Sequence, residues 1–278
     1  MTTSNAVHFG PRLVGSPTGT LRAAILVKPT PSIERAKPVP GEPGAVYSRA
    51  LEQHAILRKT LEYFGVESVL FDPHGEDPYE ASAGDAAVVL EDGAMLMRPT
   101  PMARRGEADR MESEFAHIDI PLAGHISAPG LLDGGDVLLA GNTAFVGIGG
   151  RGNALGRNGF SQAAIAHGYR VVDVKLAPGA PCLRSIAGAV AKDTIVLSPG
   201  LVDASAFAGF KTIFVESGED LAAGVLPIGE HHVIAEMRYR TSLRALRKAG
   251  VVVESLDLYE FTKVGITPSL LVLALKRD

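Results

Sequence analysis

Apolar and polar positions along the chain fall into a recurring unit. Four times an apolar run, a short polar turn and a second apolar run follow one another. DAAVVLEDGAMLMRP turns at Glu91-Asp92-Gly93, GDVLLAGNTAFVGIG at Gly141-Asn142, AGAVAKDTIVLSPG at Lys192-Asp193 and GVLPIGEHHVIAEM at Gly229-Glu230. Two strand-length apolar runs about a tight turn signal a β-hairpin. Helical patterns alternate with these hairpins, as in RGEADRMESEFAH and TSLRALRKAG. The earliest, YSRALEQHAILRKTLEYFG, predicts one apolar face from Leu51, Ala55, Leu57, Leu61 and Phe64, stopped by Gly65. The first strand signal, LRAAILVKP, and the last, SLLVLALKRD, lie at opposite ends of the chain, and pairing them closes a ring.

The unit repeats every roughly 40–50 residues, the spacing of a radial repeat. Closure removes exposed sheet edges and brings the inner ends of the hairpins to one channel. The expectation is an α/β chain of five blades. A doubly wound sheet, with one strand per helix, fits the hairpins less well. Residues 1–20 read as an N-terminal extension and 21–278 as a single domain. Within it, the Pro/Gly-rich stretch PTPSIERAKPVPGEPG (29–44) reads as a lid loop over the channel.

Composition narrows the function classes. Of 278 residues, 46% are hydrophobic and 21% charged, which suits a sizeable core. A net charge of −4 offers no general attraction to nucleic acid or to an anionic membrane. The opening MTTSNAVHFGPRLVG lacks the pattern of a signal peptide, and no uncharged apolar run approaches the roughly 18–20 residues of a membrane span. These readings predict a cytoplasmic location. Cys182 is the only cysteine, which excludes an intramolecular disulfide and a multi-cysteine metal site. His231 and His232 share a hairpin turn, where neighbours on a strand face opposite ways, so neither a metal nor a cofactor is expected. GIGGRG places Gly147, Gly149 and Gly152 in a GxGxxG spacing with Asp173 beyond. It reads against a nucleotide site, because NALGRNG looks like further breakers before any helix and a hairpin precedes the motif.

Three blocks carry a family likeness. GDAAVVLEDGAMLMRPTPMARRGE, LLDGGDVLLAGNTAFVGIGGRGN and PCLRSIAGAV resemble, in order and spacing, segments of the dimethylargininases. These belong to the pentein superfamily with the arginine deiminases and amidinotransferases. The likeness runs from about Leu21 to the C-terminus, and LDGGDVL…FVG…R is its most specific part. It implies a five-bladed αβ propeller with pseudo-fivefold symmetry and a small-molecule ligand, arginine-like or carboxylate. A homodimer is compatible with it. In the family a cysteine thiolate attacks the guanidinium carbon, a histidine handles protons, an acid orients the histidine, and carboxylates hold the cation.

By resemblance, Asp133 matches the orienting acid and Asp85 a guanidinium-binding carboxylate. Arg104 and Arg151 match arginines that grip the amino-acid end of the substrate, and Ser185 a small polar residue after the histidine. The departures are as informative. Where the family reads HLKS this chain reads CLRS, so Cys182 stands at the histidine. Where the family has its nucleophilic cysteine this chain reads GITPSLLVL, which offers Ser269, or Leu270 one residue on. Gly84 replaces an acid before Asp85. Tyr79 falls at another acidic ligand, with Asp77 two residues away. By themselves, Cys182 reads as a small packed residue and Ser269 as a strand-start serine. The likeness therefore implies a catalytic set of Asp133, Cys182 and Ser269 with weak, altered or lost hydrolysis. The alternative is a non-catalytic binding or interaction protein on the same scaffold.

Overall fold

The structure, a computed structural model, describes residues 9–73 and 77–278; residues 1–8 of the expected extension lie outside the described residues. Five three-stranded sheets form, each built to one plan. The first pairs β1 (Leu21–Val27) parallel to β2 (Glu67–Phe71) across helix α1 (Tyr47–Tyr63). The second holds β3 (Ala87–Val89), β4 (Ala94–Leu96), α2 (Glu107–His117) and β5 (Leu122–His125). The third holds β6 (Val137–Ala140), β7 (Thr143–Ile148), α3 (Ala154–Ala166) and β8 (Arg170–Lys175). The fourth has a one-turn helix α4 (Leu183–Ile186), then β9 (Ala187–Ala191), β10 (Thr194–Leu197) and β11 (Lys211–Phe214). Between β10 and β11 it carries only a 3-10 turn, Ala204–Phe207. The fifth holds β12 (Leu226–Gly229), β13 (His232–Glu236), α5 (Arg240–Lys248) and β14 (Val252–Leu256). Two one-turn helices, α6 (Tyr259–Thr262) and α7 (Pro268–Leu271), lead to β15 (Leu273–Arg277), which pairs antiparallel with β1 and closes the ring as the pattern predicted.

Each blade is thus an antiparallel pair followed by a parallel strand, and in four of the five the pair is a hairpin. The inner strands, β15, β3, β6, β9 and β12, surround the axis and are rich in alanine, leucine and valine. Crowding explains the glycine in β9: a Cβ on Gly188 would lie 2.4 Å from the Ala223 carbonyl oxygen. The apolar core is divided into five clusters, each straddling two neighbouring blades. Val88 and Met95 of one blade, for instance, pack with Val146 and Phe160 of the next. No described helix is long and apolar enough to cross a membrane.

Two local expectations are corrected. On α1, Leu51 and Ala55 are exposed, and the inward stripe is Ala50, Gln53, His54, Leu57 and Leu61. That stripe follows helical spacing once polar residues are admitted. Gln53 is satisfied there, donating to Asp257 Oδ1 at 2.7 Å and accepting from Glu260 N at 3.0 Å. Ser269 starts no strand. It lies in α7, four residues before β15 begins and closes the first sheet, and Pro268 occupies the first helical turn, where its missing N–H costs nothing.

Candidate functional site at one mouth of the ring

A single helical turn precedes every inner strand: Ala83–Asp85, Gly134–Asp136, α4, Asp220–Ala223 and α7. These equivalent turns gather at one mouth of the channel, so residues far apart in sequence converge there. The Gly134-Gly135 pair explains how closely they meet. A Cβ on Gly134 would sit 2.2 Å from the Gly84 carbonyl oxygen. One on Gly135 would sit 2.4 Å from Asp85 Oδ1 and 3.1 Å from Cys182 Sγ. Only hydrogen fits between the turns.

The site is a buried lattice of carboxylates and arginines. Asp85 Oδ2 accepts from Arg104 Nη1 at 2.8 Å and Ser82 Oγ at 3.0 Å. Its Oδ1 accepts from Gly135 N at 3.0 Å and Arg151 Nη2 at 3.3 Å. Burial alone would raise the Asp85 carboxyl, but the Arg151 and Arg104 charges outweigh it and hold the group well below the usual carboxylate range. Arg104 is 1% exposed and forks onto Glu107 with two bonds of 2.8 Å, with Asp77 Oδ1 3.8 Å from its Nε. Its guanidinium is spent inside the protein, where it fixes Asp85.

Arg151 is the pivot. Its Nη1 lies 2.9 Å from Asp133 Oδ2 and its Nε 3.8 Å from Asp136 Oδ2. Both oxygens are buried, and neither is aligned for a hydrogen bond, nor is Arg151 Nε. The opposite oxygens are engaged: Asp133 Oδ1 accepts from Thr100 N at 2.8 Å, and Asp136 Oδ1 from Leu183 N at 2.9 Å. Burial raises both carboxyls against the pull of Arg151, and Asp136 reaches about 7. Asp136 is the second acid of LLDGGD, which the Gly-Gly turn folds back beside the first.

Cys182 is fully buried next to this lattice, its Sγ 3.1 Å from Ser185 Oγ. Ser185 donates its one hydroxyl hydrogen to the Gly265 carbonyl at 3.0 Å, so the thiol is the donor of the pair. Burial pushes the thiol up to about 11 in spite of Arg151. Among the described residues no histidine hydrogen-bonds to Cys182, Asp133 or Asp136. Ser269 turns elsewhere: its Oγ donates to the Arg184 carbonyl at 3.0 Å and lies 3.2 Å from Thr267 Oγ1. Its neighbour Leu270 joins the apolar cluster that contains Cys182. The structure therefore brings together Asp85, Asp133, Arg104, Arg151, Cys182 and Ser185, with Ser269 bonded instead to the α4 backbone.

Residues 29–44 pack against this mouth. Ile33 and Ala36 share the cluster of Cys182, Val39 N donates to the Lys263 carbonyl at 2.7 Å, and Tyr259 Oη donates to Glu42 Oε2 at 2.5 Å. Lys263 in turn bonds the Gly44 carbonyl at 3.2 Å and buried Glu260 at 2.6 Å.

The glycine motif needs one correction. NALGRNG is helical: α3 begins at Ala154, capped by Asn153, whose side chain accepts from Gly156 N at 2.9 Å. The helix end is filled by protein instead. Asn153 also accepts from Leu131 N, and a Cβ on Gly156 would meet the Leu131 carbonyl at 2.2 Å, leaving no place for a pyrophosphate.

No family model matches the chain. Over 216 residues it is 32% identical to an N(G),N(G)-dimethylarginine dimethylaminohydrolase of Streptomyces coelicolor, spanning 77% of this chain and 81% of that one. A second such enzyme, from Pseudomonas aeruginosa, is 24% identical over 218 residues, 78% of this chain and 85% of its own. Among solved structures, the Pseudomonas aeruginosa enzyme as a cysteine-to-serine mutant complexed with citrulline superposes with a TM-score of 0.82 at 22% identity, covering 91% of this chain and 99% of the other. The N-terminal domain of ArgZ, an arginine dihydrolase from cyanobacteria, bound to product, gives 0.80 at 19%, covering 92% and 97%. The likenesses below 25% identity show the same propeller fold.

Proposed function

Since the chain belongs to the dimethylarginine dimethylaminohydrolase family, we propose that it binds an arginine-like ligand at the mouth of the ring, with cysteine-dependent hydrolysis weak, altered or lost. One observation carries the reading. Asp133 and Asp136 each turn a buried oxygen without a hydrogen bond toward a single guanidinium, that of Arg151. Converging carboxylates of this kind suit a planar guanidinium fork. Arg151 is 26% exposed at its side chain, the most accessible member of the lattice, and its own guanidinium stands where a ligand's would. A ligand cation exchanges with it, and the displaced Arg151 is then free to take the ligand's carboxylate. The relatives' names and the citrulline complex of the Pseudomonas aeruginosa enzyme point to the ligand class.

The chemistry beyond binding is weakened on two counts. Cys182 holds its proton at neutral pH, and a thiol is a poor replacement for imidazole in proton transfer. The Ser269 hydroxyl gives its hydrogen to a backbone carbonyl, with no base beside it. Losing a nucleophile–base unit costs on the order of 10⁴–10⁶ in rate. The loop at 29–44 acts as the lid that opens for entry.

Calorimetric titration with L-arginine, methylated arginine and citrulline, run beside a citrulline-release assay, tests both parts. Binding of at least one of these with no release is expected. Release at ordinary enzyme rates overturns the loss of hydrolysis, and absence of binding by all three overturns the ligand class.

A further inference from the structure

Beneath the ring of one-turn helices the inner strands enclose a second space, a cavity of about 100 Å³. Its wall is built mainly of valine, leucine and alanine side chains from all five blades, and two arginines break that lining, Arg184 and Arg277. Arg184 precedes β9 at the site end of the channel. Arg277 ends β15 at the opposite end.

Both cations are held in an unusual way. Arg184 donates to the carbonyls of Gly84, at 3.1 Å, and Ser269. Arg277, 5% exposed, donates to the carbonyls of Gly19 at 2.9 Å and Pro227 at 2.8 Å. Neither forms an ion pair among the described residues, and each guanidinium carries five N–H groups. Buried Arg104 shows the ordinary solution, two carboxylates at 2.8 Å. A buried cation without a contacting counter-charge is destabilising. Burial first, and then the charge of Arg184, disfavours the Arg277 cation and lowers it from the ordinary arginine value. Gly84 bears on the same point. A Cβ there would lie 2.7 Å from Arg184 Nη1, so the space where an acidic side chain would begin is filled by the arginine itself.

We propose that this channel is a binding site for one small anion, inorganic or carboxylate, held between Arg184 and Arg277. The site is separate from the carboxylate lattice, which attracts the opposite charge. The anion supplies the contacting counter-charge that both arginines lack, Arg184 feeling Asp85 only through space, and the apolar wall limits its size. Because Arg184 contacts the turns of Asp85 and Ser269 through the Gly84 and Ser269 carbonyls, an occupied channel also braces the floor of the mouth.

Crystals of the full chain soaked in sodium bromide decide the matter directly. An anomalous bromide peak between the two guanidinium groups is expected, and an empty or water-filled channel overturns the proposal. In solution, sodium formate is expected to raise the melting temperature saturably, by several degrees beyond sodium gluconate at equal ionic strength. Arg277→Met should abolish that increment, while Arg277→Lys should keep part of it. An increment unchanged in Arg277→Met, or equal for formate and gluconate, overturns the site. Titration with citrulline reports on the mouth of the ring and is read independently.

Discussion

At the scale of single residues the mouth of the ring is governed by one arginine among three aspartates. Arg151→Met leaves Asp85, Asp133 and Asp136 without that partner, and removal of one side of a buried ionic set costs about 3–5 kcal/mol. Guanidinium ion or arginine should restore part of this loss, so the variant's melting temperature is expected to rise more with added arginine than the parent's. Equal shifts would show that the aspartates accept no external cation. Asp136 adds a pH signature. Its carboxyl titrates near 7 when folded, against the ordinary value near 4 when unfolded. The folded state therefore binds the extra proton, a contribution complete below about pH 4 and lost as pH rises to about 7. Relative to the parent, Asp136→Asn should gain stability across that window and level off above it in denaturant titrations. Asp85 has the opposite sign, because its depressed carboxyl contributes above its unfolded value and loses that contribution in acid.

At the scale of elements, α1 shows why an apolar count alone mislocated a buried face. Gln53 and His54 lie inward because neighbours on α6 and its approach satisfy Gln53 and because the imidazole is carried neutral. Burial first, then the Arg58 charge, lowers His54 to about 4. The unfolded chain binds that proton more readily, so stability is full above about pH 6.5 and falls as pH drops toward 4. At about 1.4 kcal/mol per pH unit, the loss approaches 3 kcal/mol. His54→Gln should flatten this acid limb while leaving ligand binding at neutral pH intact, as thermal unfolding between pH 4 and 7 would show.

For the whole molecule, the division of the core into clusters between blades makes ring closure a property of the entire chain. β15 contributes Leu273 and Leu275 to one cluster and pairs with β1, Leu21 opposite Arg277 and Ile25 opposite Leu273. Deleting residues 273–278 opens the ring, exposes the edge of β1 and removes Arg277. The truncated chain is expected to lose its single cooperative thermal transition, which circular dichroism would register as a broad, low-temperature melt. A sharp transition within a few degrees of the parent would mean that the blades are stable without closure. The contrast with an open sheet, which tolerates loss of an edge strand better, follows from β15 being the strand that joins the end of the chain to the first blade.

The alternation of hairpins and helices, the turn positions and the pairing of first and last strands were legible in the order of apolar and polar residues. Periodicity and turn chemistry are local, and they act over a few residues. Asp133, Asp85, Arg104 and Arg151 were also visible as candidates, through the blocks around LLDGGD and GGRGN. Their present bonds were not. Which carboxylate Arg151 meets, why Asp136 belongs with Asp133, and why Ser269 faces a carbonyl rather than Cys182 depend on turns from different blades meeting at one mouth. The unpaired state of Arg184 and Arg277 is of the same kind, since it exists only once five strands enclose a space that no single segment encodes. Sequence determined the repeating unit because local sterics and burial act on neighbours along the chain. Tertiary structure decided the site because desolvation and charge act on neighbours in space.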